Sequence, residues 1–429
     1  MLTIKQIREN RAYTIERLAV KGVDAAEAVD RIEKLDDERK SIQARLDGNL
    51  AEQNAIAKEI GMLFKQGKKD EAEAAKARTA ALKEASKALD GQLRDVEAEL
   101  NAEIVKLPNF PNKDVPHGLT AADNVVVRTG GATPELPSDA LPHWELARKY
   151  DIIDFELGVK LTGAGFPVYK GQGSALQRAL ISFFLDCNTA AGYTEIMPPL
   201  MVNEASGFGT GQLPDKEGQM YHVTADNFYL IPTAEVPVTN IYRDVILSES
   251  DFPVKMTAYT PCFRREAGSA RAEERGMVRG HQFNKIEMFQ YTLPEKSDEA
   301  FEELVGKAER LVKGLGFHFR TVKLAAGDCS ASMATTYDIE LWIPSMNEYK
   351  ECSSVSNARD YQARRGNIRF RREATGKTEF VHTLNGSGLA TSRIFPAMVE
   401  QNQLKDGSIK VPEVLQKYLG GLEVISKKK

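Results

Sequence analysis

Cysteine is scarce and scattered in this chain. Cys187, Cys262, Cys329 and Cys352 form no closely spaced pair, so the spacing suggests neither a structural zinc nor a disulfide framework, and reduced thiols are expected. Long apolar runs are also missing. No stretch is long enough to span a bilayer, and Met1–Asn10 lacks the apolar core of an export signal, so a cytoplasmic protein without membrane contact is expected. Net charge is only −4, too small and of the wrong sign to draw nucleic acid globally; any such contact must use a local patch. There is no internal repeat and no strand–helix–strand alternation, which disfavours a doubly wound parallel sheet. At 429 residues with 42% hydrophobic content, the chain has room for two or three units and a sizeable core.

Proline is absent between about residues 27 and 107, where Ala, Glu, Lys, Gln and Leu dominate. Apolar residues recur there at three-and-four spacing through Ile32, Leu35, Ile42, Leu46, Ile56, Ile60 and Leu63. After Gln66-Gly67-Lys68-Lys69-Asp70 the pattern resumes through Ala75, Leu82, Leu89, Leu93, Val96, Leu100 and Leu107. One glycine-containing break between two runs of similar length predicts an antiparallel two-helix coiled-coil arm, roughly 50–60 Å long. Pro108 and Pro111 mark its end. Acidic residues slightly outnumber basic ones along the arm, yet Lys58, Lys65, Lys68, Lys69, Lys76 and Arg78 cluster toward its tip. A basic tip on an otherwise neutral or acidic rod suits a phosphate backbone met at one place; a dimerisation coil is the plainer alternative.

From about residue 115 short strand-like runs alternate with Gly and Pro, and helices are expected over 176–185, 297–314 and 389–404. The fold class is therefore α+β, a mostly antiparallel sheet flanked by helices. Phe263-Arg264-Arg265-Glu266 and His281-Gln282-Phe283-Asn284-Lys285-Ile286-Glu287 flank a polar loop, Ala267–Gly276. Strand alternation would put Arg264 and Glu266 on one face, and Phe283, Lys285 and Glu287 on another. A guanidinium suits phosphate, an aromatic ring a nucleobase, and carboxylates an ammonium group. Thr233-Ala234-Glu235 places a hydroxyl and a carboxylate two apart, on one face if extended. Glu351-Cys352-Ser353-Ser354 offers oxygen ligands for a magnesium ion on phosphates. Leu384-Asn385-Gly386-Ser387-Gly388-Leu389 reads as a glycine-flanked turn entering a helix that carries Arg393.

Taken together, these segments resemble the class II aminoacyl-tRNA synthetases, and within them the seryl branch. The first family motif is similar to residues 173–200, the second to Phe263–Glu266 with its return strand, and the third to Asn385–Arg393. The resemblance covers the whole chain, as residues 1–110 (a tRNA-binding domain with the helical hairpin) and 115–429 (the class II catalytic domain). It implies an enzyme that joins L-serine to tRNA(Ser), and to tRNA(Sec) where one exists, through a seryl-adenylate made from ATP with Mg2+, and that works as a homodimer. The resemblance assigns Arg264 to the α-phosphate and serine carboxylate, and Arg393 to the γ-phosphate and one face of adenine. Phe283 would form the other face, and Glu266 would meet the adenine amino group, with Arg265 beside them. Glu351, Cys352, Ser353 and Ser354 would line the ATP site, Glu351 and Ser354 holding the magnesium. Thr233, Ala234, Glu235, Glu287, Asn385 and Ser387 would form the serine pocket; which of them takes the ammonium is left open. With no segment resembling an editing domain, discrimination against alanine and threonine is expected at the synthetic site.

Two positions depart from the family pattern. Pro396 falls inside the last helix, where it should kink or break it early, and Thr391-Ser392 replaces the commoner small pair before Arg393. The rival readings are a synthetase-like ligase acting on a carrier protein, which would lack the arm, and a non-catalytic RNA-binding relative, which would have lost Arg264, Glu266, Glu351 or Arg393.

Overall fold

The computed structural model describes residues 1–215, 218–266, 276 and 279–426. The chain divides into two units, Met1–Pro108 and Asn109–Lys429. Two helices dominate the first: α1, Ala26–Lys65 (40 residues), and α2, Lys69–Val105 (37 residues). At ~1.5 Å per residue, each is roughly 55–60 Å long. Ile32, Leu35, Ile42, Leu46, Ile56 and Leu63 of α1 are buried, as are Leu89, Leu93, Val96 and Leu100 of α2. Arg31 pairs with Glu99 and Arg78 with Glu52, so low numbers meet high ones and the helices run antiparallel. One polar pair crosses the seam: Gln53 Nε2 donates to Ser86 Oγ at 2.8 Å, fixing the register of an otherwise slippery apolar contact. The turn between the helices needs Gly67 at φ +75°, a conformation that strains any residue with a Cβ. Near the other end the Asp36 side chain is fully buried beneath Arg8 (3.1 Å), Arg39 (2.8 Å) and Lys40 (2.7 Å). Burial works against this carboxylate, but the hydrogen bonds from Lys40 and Arg39 prevail and hold it below the ordinary aspartate range.

The second unit is built on an eight-stranded sheet. Its strands are β1 (Val125–Gly130), β2 (Thr194–Glu195), β3 (Val254–Phe263), β4 (Gln282–Thr292), β5 (Phe319–Lys323), β6 (Thr335–Ile343), β7 (Glu348–Arg359) and β8 (His382–Ala390). They lie in the order β1-β5-β6-β7-β8-β4-β3-β2, antiparallel except for the short β2, which runs parallel to β3. Helices α3 (Gly171–Ala190), α5 (Ser297–Gly314) and α7 (Thr391–Gln401) share one core with Ile286 and Met288 of β4 and Val355 of β7. Two shorter helices, α4 (Glu235–Thr239) and α6 (Tyr361–Gly366), join a second apolar cluster with Met256 of β3 and with Phe289 and Tyr291 of β4. Ile286 and Met288 thus face one cluster and Phe289 the other, so both faces of the central strands are covered. The result is the α+β, largely antiparallel architecture expected from the alternation. Among the described residues, no helix is long and apolar enough to cross a membrane.

One local expectation is corrected, and of the kink or early break expected at Pro396 the early break does not occur. Asn385–Gly388 is no turn but the middle of β8, hydrogen-bonded between β4 and β7. Its glycines are there for space: a Cβ on Gly386 would lie 3.2 Å from Val355, and one on Gly388 would lie 3.1 Å from Asn188 and Met288. Nor does Pro396 break α7 early, since the helix continues to Gln401. Ile394, Phe395, Ala397, Met398 and Val399 are all buried in the main core, and this packing outweighs the one backbone donor that proline removes.

Candidate active site

Period-two alternation along β4 turns Lys285 and Glu287 away from the core that receives Ile286 and Met288. Glu287 stands opposite Ser387 of β8. Lys285 Nζ lies 2.6 Å from Glu287 Oε2, the Thr233 hydroxyl donates to the same oxygen at 3.1 Å, and Asn385 Nδ2 reaches Oε1 at 3.4 Å. Thr233 and Glu235 are not in extended chain as expected. Glu235 opens α4 after the N-cap Ala234, and its backbone N–H donates to Thr233 Oγ1 at 3.1 Å, so the threonine forms a tight side-chain turn leading into the helix. That turn still brings both side chains to Glu287, while Ala234 points into the apolar cluster and contributes packing. Glu235 accepts a 2.6 Å hydrogen bond from Gln362 Nε2 of α6. Its carboxyl is pushed up to about 7, first by burial and then by the charge of Glu287; the Gln362 bond, Lys285 and Arg264 act in the opposite sense. Two buried carboxylates thus share the pocket with Lys285, and Arg264, the other cation whose charge reaches Glu235, is tied to Pro232 O and lies over the Phe283 ring.

The nucleotide side lies at the open end of the β3–β4 pair. β3 ends at Phe263, so Arg264 and Glu266 do not share a strand face as expected; the chain leaves the ladder, and Glu266 sits at φ +48°. Arg264 is fixed by its backbone N–H donating to His281 O (2.9 Å) and by Nε donating to Pro232 O (3.3 Å). Its guanidinium lies 5.1 Å from the Phe283 ring centroid. Glu266 accepts a 2.7 Å bond from Arg279. Arg265 is exposed, with its backbone N–H on Gln219 O. The loop Ala267–Gly276, apart from Gly276, is outside the described residues.

The third part lies on β6 and β7. Ile339 pairs with Ser353 but Glu340 pairs with Glu351, so Cys352 is an extra residue, a β-bulge. Strict alternation would send Glu351 and Ser354 to opposite faces; the bulge brings both to the face of Asp338 and Glu340. The side chains of Cys352 and Ser353 are themselves committed inside the fold. The Cys352 thiol donates to Ile339 O at 3.2 Å and the Ser353 hydroxyl to Ser387 O at 2.6 Å. Burial, then the charge of Glu351, push the Asp338 carboxyl well above its ordinary range, and its Oδ1 has no hydrogen-bond partner. Among the described residues no three His, Cys, Asp or Glu side chains form a complete metal cage. The oxygen donors of Glu351, Ser354 and Asp338 fit a magnesium ion that also rides on phosphates, which needs only one or two carboxylates from protein. Arg393, in the first turn of α7, donates from Nη1 to Glu351 O at 3.2 Å. Thr391 anchors the start of that helix by donating to Asn284 O of β4 at 3.1 Å.

Four participants were not singled out as site residues in the sequence. Lys285 and Asp338 had a usable signal, since each lies two residues from a carboxylate on a strand. Gln362 and Thr383 had none, because an amide in a short helix and a threonine in a strand stand out only once folding brings Gln362 to Glu235 and Thr383 to Gln362.

Both units match families of known proteins. The model of the seryl-tRNA synthetase N-terminal domain matches residues 1–111, and that of the tRNA synthetase class II core domain (G, H, P, S and T) matches residues 221–402, the span from which Thr233, Glu235, Arg264, Glu287, Glu351 and Arg393 come. Serine–tRNA ligase 2 of Clostridium acetobutylicum is 48% identical over 98% of this chain and 99% of its own length. The serine–tRNA ligase of Syntrophotalea carbinolica is 46% identical over 99% of this chain and 100% of its own. Among solved structures, the seryl-tRNA synthetase of Pyrococcus horikoshii complexed with ATP superposes with a TM-score of 0.93 at 33% identity, covering 100% of both chains. The cytoplasmic serine–tRNA ligase of Naegleria fowleri, in complex with AMP, gives 0.87 at 27% identity over 100% of this chain and 99% of its own. With full-length relatives at nearly half identity and both units matched, the chain belongs to the seryl-tRNA synthetase family.

Proposed function

We infer that the protein is a serine–tRNA ligase acting in two steps. The observation that carries this reading is the pocket in which the buried Glu235 and Glu287 are held beside Lys285, next to a guanidinium over an aromatic ring. The first suits an amino acid's ammonium group, the second a nucleotide. In the first step a serine carboxylate oxygen bonds to the α-phosphorus of ATP, the bond from that phosphorus to the bridging oxygen breaks, and pyrophosphate leaves. Two anions must meet, so the work is positioning and charge compensation, and no protein nucleophile is required. Arg264 holds the α-phosphate and the serine carboxylate together; Arg393 meets the γ-phosphate; adenine lies against Phe283, with Glu266 at its amino group. Glu351 and Ser354, with Asp338 behind them, would hold a magnesium ion that screens the phosphate charge. In the second step a terminal ribose hydroxyl of tRNA attacks the acyl carbon, and AMP leaves.

The arm is the tRNA reader in this proposal. Lys58, Lys65, Lys68 and Lys69 are exposed toward its tip, and serine acceptors share a shape more than an anticodon, so tRNA(Ser), and tRNA(Sec) where present, would be gripped by form. A homodimer through the first-motif segment is supported by its bare apolar side chains, with Met197 90% and Leu200 37% exposed. Serine-dependent ATP–pyrophosphate exchange, followed by charging of tRNA, tests the reading. Exchange with serine and little with alanine or threonine is expected. No exchange with serine would defeat the proposal, and exchange without charging would redirect it to a carrier ligase.

A further inference from the structure

Gln362 sits behind the serine pocket, 1% exposed, on α6. Its side-chain amide makes three hydrogen bonds. Nε2 donates to Glu235 Oε1 at 2.6 Å and to Thr210 O at 3.2 Å, and Oε1 accepts from the Thr383 hydroxyl at 2.7 Å. These partners leave only one orientation for the amide. Turned over while Glu235 is ionised, its oxygen would face a carboxylate and a carbonyl, three acceptors with no proton among them. Thr383 is fully buried on β8, two residues before Asn385. A chain of hydrogen bonds therefore runs from the strand carrying Asn385 and Ser387, through Gln362, to the carboxylate on the far side of the pocket.

We propose that Gln362, oriented by Thr383, is a positioning residue that keeps Glu235 ionised and aimed into the pocket, so that the site retains the negative charge that selects an ammonium group. This rests on the serine-ligase reading above. The physical case is one of balance. With Glu235 ionised, Glu235 and Glu287 stand beside Lys285, while Arg264, whose charge also reaches Glu235, is taken up by the phosphate and the serine carboxylate, so an entering ammonium completes the pairing; with Glu235 protonated, Lys285 already matches Glu287 and the ammonium loses its partner. Burial and Glu287 both favour protonation, and Gln362 is the neutral group that opposes them by donating directly to the carboxylate. A hydrogen bond to a charged group in such surroundings is among the stronger kind. An amide can do this without adding a charge of its own, whereas an arginine or lysine at 362 would cancel the charge that the substrate is meant to meet.

The test is ATP–pyrophosphate exchange by the full-length protein across pH 6–9, with Gln362→Leu, Thr383→Val and Thr383→Ser variants alongside. Gln362→Leu should raise the KM for serine about ten- to a hundredfold near pH 7 while changing the KM for ATP little. It should also move the acid limb of kcat/KM for serine to higher pH, because the ionised form has lost its donor. Thr383→Val should reproduce a weaker version of both effects, and Thr383→Ser, which keeps the hydroxyl, should restore the native profile. A role confined to tying α6 to the fold would lower thermal stability and leave the limb where it is. An unmoved acid limb in Gln362→Leu, or equal losses for serine and ATP, overturns the proposal while native exchange upholds the ligase reading. Should Gln362→Leu not fold, an unshifted limb in Thr383→Val overturns it just as well. Absence of serine-dependent exchange in the native protein overturns both.

Discussion

Replacing Glu235 with glutamine should make the catalytic unit more stable and far less active, with a gain in stability that depends on pH. Glu235 titrates from 4.5 in the unfolded chain to about 7 in the folded one, chiefly because it is buried and secondly because Glu287 is near. A carboxyl whose folded value is raised binds protons more tightly in the native state, so its ionisation subtracts stability as pH climbs between those two values. Below pH 4.5 both states are protonated and the penalty is nil. Above about pH 7 both are ionised and it is fully developed. At about 1.4 kcal/mol per pH unit, the interval corresponds to roughly 3 kcal/mol at pH 8. Glutamine matches the carboxyl in shape, still accepts from Gln362 and never ionises, so Glu235→Gln should recover most of that amount. For a unit of about 320 residues, the unfolding entropy is about 0.7 kcal/mol/K, which makes the gain roughly 4–5 °C in Tm at pH 8, shrinking to about 1 °C at pH 5. Thermal unfolding of native and variant protein at several pH values, beside serine-dependent exchange, reads both effects. A Tm difference that stays constant from pH 5 to pH 8, or a variant less stable at pH 8, would refute the linkage argument. Full exchange activity in the variant would refute the role of the charge.

Other consequences can be checked independently. Phe283→Ala should raise the KM for ATP about ten- to a hundredfold, as loss of ~1–3 kcal/mol of stacking implies, with Phe283→Tyr near native; an unchanged KM would remove Phe283 from the adenine site. Reversing Lys68 and Lys69 to glutamate should weaken tRNA charging, flatten its salt dependence by roughly one unit of slope per lost contact, and leave pyrophosphate exchange untouched; a fall in exchange would mean the tip serves the catalytic unit instead. Asp36→Asn should destabilise the first unit by about 1–3 kcal/mol, because the buried acceptor of three cationic side chains is lost. Since that carboxylate is held below its ordinary value, the native advantage should be present at neutral pH and disappear as acid titrates Asp36; an equal difference at every pH would count against the ion cluster.

Much of this molecule is legible before folding, where the deciding interactions are short in range. The arm follows from helix periodicity, and the turn at Gly67 from a positive φ that one residue type accepts readily. The mixed antiparallel sheet follows from alternation and the lack of strand–helix–strand units, and the chemical inventory of the site from a handful of residue types in family order. What alternation alone misplaced were local geometries set by distant partners. Thr233–Glu235 turns toward a helix because the Thr233 hydroxyl takes the Glu235 N–H and bonds Glu287, Asn385–Gly388 is a strand because β4 and β7 close on it, and α7 passes Pro396 because its apolar face is already buried. Glu351 and Ser354 meet because a bulge at Cys352 shifts the pleat by one residue, and a bulge is chosen by the pairing of two strands and not by either strand alone. Gln362 is the extreme case, an ordinary amide in a six-residue helix until α6 packs behind the pocket. Most helices, most strands and the kinds of groups available follow from propensity and periodicity, because these act between near neighbours. Which face each group meets, and which carboxylate is pushed toward protonation, follows from the packing, because register, burial and desolvation depend on residues from other strands and helices.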